Sequence, residues 1–172
     1  MTVDRAAIGR SNRSRGAQTE RDVARALTRS GLPSRRHVRA GTRAEHDEGD
    51  LRLTMAPVTI EVKNWAKGYS RGQVAELLSK LDRQKRSGDL GLLVCKRAGV
   101  ADPYGWDCWV TAVDAARLRN VWGEPHSYSP LEHDAHVFEH PVCFVFGDVI
   151  RALVSGGWVT ELTNPFADKG TS

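Results

Sequence analysis

The sequence predicts an α/β domain, a mixed β-sheet flanked by helices. Three observations predict it. Val74, Leu77, Leu78 and Leu81 recur at helical spacing within residues 70–87. Leu90 to Cys95 is an almost wholly apolar run, as expected of a buried strand. Val58 to Asn64 alternates as a strand does. Helix and strand signals interleaved in this way describe a sheet covered by helices. The chain has 172 residues, 40% hydrophobic and 27% charged, which suits one globular domain with an extension.

Each element has its own signal. Residues 1–16 are rich in Arg, Ser and Gly and lack apolar periodicity, so residues 1–15 read as a flexible basic arm. Residues 17–30 read as a helix, ended by Gly31 and Pro33. A short strand is expected over residues 35–40, then a polar loop over 41–49. Leu51 to Thr54 and Val58 to Asn64 read as strands joined by a turn at Ala56-Pro57. The helix over 70–87 stops at Ser87-Gly88-Asp89. Trp106 to Val113 reads as a strand, with a short helix after Asp114. Residues 121–141 are rich in His, Pro and Gly and read as loop. A strand over Val142 to Phe146 and a helix over Asp148 to Val154 follow. The chain thus divides into an arm (1–15), a core (16–120) and an extension packed on it (121–172).

Composition excludes several classes. No apolar run approaches the roughly 20 residues of a membrane span, and residues 1–16 lack the apolar centre of a secretory signal. An intracellular, cytoplasmic protein is expected. Cys95, Cys108 and Cys143 each lie in an apolar run without a paired spacing, which predicts buried, reduced thiols. The net charge of +4 is unevenly spread, with 14 Lys/Arg against 8 Asp/Glu in residues 1–70. A basic half suits a polyanionic partner, because cationic surfaces release nucleic-acid counterions; a solvated basic surface is the plainer alternative.

The chemistry concentrates in VTIEVKN, residues 58–64. On a strand, Glu61 and Lys63 share one face and Ile60 and Val62 the other. A hairpin through Ala56-Pro57 brings Asp50 beside Glu61. Two adjacent carboxylates call for a cation, and Mg²⁺ is commonly held by one or two carboxylates plus waters. Such a site, with Lys63 beside it, suits attack of water on a phosphodiester. The plainer alternative is an ion pair on a solvated strand.

Two further residues bear on the choice. Glu20 falls within the apolar stripe of Val23, Ala24 and Leu27, where a carboxylate needs a partner unless it reaches water near the helix start. A metal or its water is one such partner. Gln73 opens the strongest helix, placed either to bond a phosphate or water or to serve as a polar helix-start residue.

Taken together, GAQTERDVARAL, GDLRL, TIEVKN, RGQVAELLSKL and LGLLVCK resemble the PD-(D/E)xK nuclease superfamily. The likeness is nearest to archaeal-type and phage Holliday junction resolvases and covers about residues 16–97. It implies a restriction-endonuclease-like core, cleavage of DNA dependent on Mg²⁺ (or Mn²⁺), and a homodimer acting on four-way junctions in recombination, repair or phage DNA processing. It implies that Asp50, Glu61 and the Val62 carbonyl hold the metal, that Lys63 orients the nucleophile, and that Glu20 and Gln73 assist. Gly49 stands where many members have Pro, and Thr42 only loosely matches a Ser-Gly of the resolvases. Another nuclease of this fold, or a catalytically silent nucleic-acid-binding module, are the alternatives.

Arg10, Arg13, Arg15, Arg35, Arg36, Arg39, Arg43, Lys67 and Arg71 surround the motif and suit phosphate contacts. Trp65 and Tyr69 are expected to pack the core or stack on bases at a branch point. His126, His133, His136, His140 and Cys143 fall within 18 residues; a polar loop and a zinc site are the two readings.

Overall fold

A computed structural model describes residues 5–36, 49–65, 68–121 and 140–156. The elements run α1 (Arg5–Arg29), β1 (Ser34–Arg36), β2 (Leu51–Leu53), β3 (Val58–Lys63), α2 (Arg71–Gln84), β4 (Leu90–Cys95), β5 (Asp107–Val110), α3 (Ala112–Val121), β6 (Val142–Val145) and α4 (Phe146–Ser155). A single 3₁₀ turn, Pro103–Gly105, precedes β5. The six strands form one mixed sheet in chain order. β3 and β4 are parallel, and every other neighbouring pair is antiparallel. α2 is the crossover between the two parallel strands, as such a connection requires.

The two faces of the sheet carry different residues because side chains alternate along each strand. One face offers Ile60, Val62, Leu92, Val94, Cys108 and Val110. Val23, Ala26 and Leu27 of α1, with Phe146, Val149, Ile150 and Leu153 of α4, pack into the same core. On the other, Leu93 and Cys95 meet Val74, Leu78 and Leu81 of α2. β4 is therefore buried along its whole length, which is why its sequence is apolar without alternation. β6 and α4 come from the C-terminal extension, yet they complete the sheet and the larger core.

α1 differs from expectation. It begins at Arg5, so residues 5–16 are helical where a flexible arm was expected. An apolar stripe marks only the packed part of a helix, and that stripe starts near Thr19. Residues 5–16 carry no such stripe, and their Ala and Arg are good helix formers.

Buried polar groups tie the far end of the sheet. Asp114 accepts from the Gly91 N–H at 3.0 Å, Lys85 at 2.8 Å and Arg117 at 3.1 Å. Asp89 accepts from Thr59 at 2.9 Å and Arg52 at 3.2 Å. Each buried carboxylate thus has several donors, as burial of charge demands. Nothing in the spacing of these residues announced the network. No helix among the described residues is long and apolar enough to cross a membrane.

The thiols divide. Cys95 and Cys108 are buried, and burial pushes the Cys95 thiol up to about 12. Cys143, also expected to be buried, is exposed. It lies on the outward face of the edge strand β6, which alternates between half-buried and exposed positions.

Candidate active site

The site is built where β2 begins and β3 ends. Gly49 makes this junction possible. Its φ is +79°, and a Cβ there would lie 2.9 Å from Thr59 Cγ2 and 3.2 Å from the Ile60 carbonyl oxygen. Only glycine takes that backbone angle at such close approach without strain. The Asp50 N–H then bonds the Ile60 carbonyl at 3.0 Å. Leu51 pairs with Ile60, so the hairpin register sets Asp50 beside Glu61.

Asp50 turns its carboxylate onto β3, where Oδ2 accepts from the Val62 N–H at 2.8 Å. Glu61 is 4% exposed, and its Oε1 pairs with Lys63 Nζ. Asp50 is pushed up to about 6, first by burial and then by the charge of Glu61; the Val62 N–H and Lys63 act in the opposite direction. The pair therefore sits in low-dielectric surroundings, where two negative charges repel and a cation between them is favoured.

Two carboxylates of this kind suit Mg²⁺, which keeps several waters of its own. Among the described residues no group of three or more His, Cys, Asp or Glu side chains gathers closely enough to hold a metal. Water and the Val62 carbonyl are then the remaining ligands to consider. Any metal here would have its neighbouring positive charge from Lys63.

Glu20 has a partner of its own. Arg36 NH2 lies 2.6 Å from Glu20 Oε2, so the half-buried carboxylate is satisfied by a guanidinium from β1. Glu20 is still close enough to raise the Asp50 carboxyl slightly. Arg36, expected among the phosphate contacts, is committed to this ion pair, and its Nε is buried without a hydrogen-bond partner. The same turn of α1 is tied to the end of β3 as well. Asn64 Nδ2 donates to Thr19 Oγ1 at 2.9 Å, and that hydroxyl donates to the Arg15 carbonyl at 2.8 Å. Sequence reasoning missed this link, because 45 residues separate its partners.

Gln73 occupies a cap. The Ser70 hydroxyl accepts from the Gln73 N–H, and Gln73 Oε1 accepts from the Ser70 N–H at 2.8 Å. This is a capping box, with Gln73 at its third helical position. The helix-start alternative describes the carboxamide oxygen, and Gln73 is exposed.

The remaining basic residues differ in their placement. Arg13, Arg15, Arg35 and Arg71 are exposed. Arg10 lies on α1, and nothing is described of its side chain. Arg39, Arg43 and Lys67 lie outside the described residues, as do His126, His133 and His136; His140 is exposed.

Comparison with family models, with curated proteins and with solved structures finds no match to this chain.

Proposed function

We propose that this protein is a Mg²⁺-dependent, structure-selective DNA endonuclease, a Holliday junction resolvase acting as a homodimer. One observation carries the reading: Asp50, Glu61 and Lys63 meet at one strand end, with Asp50 destabilised as an anion. A solvated ion pair would not bury Glu61 or set a second carboxylate against it. The order of the elements supports the same reading. A Glu-bearing helix, an Asp before a strand, a Glu-x-Lys strand and a Gln-capped crossover helix follow one another as in the superfamily the motifs resemble.

The residues divide the work. Asp50 and Glu61, with the Val62 carbonyl, hold the metal. Lys63 donates toward the attacking water or a phosphate oxygen and offsets charge that builds in the transition state. Glu20 shapes the field around Asp50 while Arg36 holds it in place, and Gln73 fixes the start of α2. Mg²⁺, when bound, supplies Lewis acidity at the phosphate. The exposed arginines meet phosphates and carry no base preference. Two copies related by a twofold axis bring two sites to opposed strands of a junction.

The test is cleavage of an end-labelled four-way junction and of linear duplex with the same arm sequences. Each is incubated with Mg²⁺, Ca²⁺ or EDTA, beside Glu61→Ala. Paired nicks near the branch, in Mg²⁺ only and lost in Glu61→Ala, are expected. Equal cutting of linear duplex removes junction selectivity and leaves another nuclease of this fold. Binding without cutting under any metal leaves a silent nucleic-acid-binding module.

A further inference from the structure

The strand end that carries Glu61 and Lys63 also carries an aromatic cluster that the chemistry above does not use. Trp65 lies two residues past Lys63, just beyond β3. Its ring centroid is 5.1 Å from that of Tyr69, with the planes tilted by 46°. Tyr69 in turn meets Trp109 edge-on, 6.2 Å away. All three are half-buried, resting on the small core under α2, so each keeps part of its surface in solvent.

The cluster is held rigidly from below. Trp109 Nε1–H donates to the Tyr69 hydroxyl at 3.2 Å. That hydroxyl donates to Asp107 Oδ2, and Arg97 holds the other oxygen of Asp107 at 3.0 Å. The polar atoms of Tyr69 and Trp109 are thus engaged within the protein. What the cluster offers outward is aromatic surface, already ordered before any partner arrives.

Its position relative to the candidate site follows from the register. Lys63 pairs with Cys95, and Cys95 with Asp107. Two strand spacings, about 10 Å, separate Lys63 from the base of the cluster. That is the rise of about three nucleotides in duplex DNA. Bases inside a continuous duplex present only their edges. An unpaired base presents a face, and stacking on an aromatic side chain is how proteins commonly hold one.

We propose that Trp65 and Tyr69 form a stacking platform for an unpaired nucleobase next to the scissile phosphate. The proposal rests on the nuclease reading and narrows its substrate. The substrate is DNA with at least one base unstacked at a branch, flap or gap, and the platform, not the metal site, selects it. Trp65 is then a specificity-determining residue.

The test is equilibrium binding of the full chain in Ca²⁺, so that affinity is read apart from cleavage. The probes are a duplex, the same duplex with a short single-stranded gap, and a four-way junction. Wild type, Trp65→Leu and Trp65→Phe are compared, with Mg²⁺-dependent cleavage measured in parallel. Wild type is expected to prefer the gapped and branched probes. Trp65→Leu is expected to lose about tenfold on those probes and little on duplex, and Trp65→Phe to recover most of the loss. An equal loss on all three probes would indicate a structural role and overturn the platform. An unchanged preference in Trp65→Leu would also overturn it, even if cleavage persists and the nuclease reading stands. A ring-dependent preference without cleavage would sustain the platform and remove the nuclease.

Discussion

Asp50 is the residue in which structure and chemistry meet most directly. Its carboxyl titrates near 6 in the folded chain against an ordinary 3.8, chiefly through burial and secondarily through Glu61. A raised value means the native state prefers the protonated form. The stability linked to Asp50 is then fully present below 3.8 and is lost as pH rises through about 6. The difference corresponds to about 3 kcal/mol at neutral pH. Asn keeps an acceptor for the Val62 N–H but carries no charge. Asp50→Asn is therefore expected to unfold at higher temperature than wild type at pH 7 without divalent ions, and to match it near pH 4. Calorimetry across that range checks this; parallel curves at every pH would remove the repulsion argument. Mg²⁺ is expected to stabilise wild type and leave the variant unmoved.

At the scale of elements, the hairpin of β2 and β3 decides whether a site exists. Gly49 lets the chain turn onto β3 so closely that the Asp50 amide bonds Ile60. Gly49→Ala is expected to cost about 1–3 kcal/mol from the left-handed backbone alone. The added Cβ also meets Thr59 and the Ile60 carbonyl, so Asp50 must shift. Denaturant unfolding reads the first effect, and the cleavage rate of the folded fraction reads the second. A variant as stable and active as wild type would mean that this close approach is dispensable. Other elements carry the site more quietly. β1 holds Glu20 of α1 through Arg36, and the Thr19–Asn64 bond ties that helix to the end of β3. α2 begins at a capping box that fixes where Gln73 stands.

At the scale of the whole molecule, charge and surface set what the site meets. Arg13 and Arg35 of the basic half, with Arg71 just past it, are exposed cations. Cationic contacts of this kind make binding fall linearly with the logarithm of salt concentration. Replacing Arg35 and Arg71 by Gln is expected to lower the slope for DNA binding by about one for each residue. Arg36→Gln is expected to act differently, lowering stability because it strands the half-buried Glu20. A titration of affinity against salt for the three variants checks this. Equal slopes for wild type and the Arg35 and Arg71 variants would remove those residues from the interface.

Much of the molecule was legible without coordinates. The apolar stripe of α2, the unbroken apolar run of β4 and the turn at Ala56-Pro57 predicted their elements, because local periodicity reports which side of an element is buried. The hairpin also predicted that Asp50 and Glu61 are neighbours, since register follows from a short turn. Local pattern reaches no further than that. It missed the first turns of α1, because the Arg- and Ser-rich residues 5–16 carry no apolar stripe. It put Cys143 inside, because an edge strand and a central strand share the same apolar composition. It offered Glu20 a metal or water and not Arg36, and paired neither Tyr69 with Asp107 nor Asp114 with Lys85 and Gly91. Those contacts join segments far apart in the chain, and only the packing of the sheet brings them together. The sequence by itself determined the elements and the carboxylate–lysine motif. The tertiary structure alone decided that Glu61 is buried, that Arg36 serves Glu20, and that Trp65, Tyr69 and Trp109 meet in one aromatic cluster.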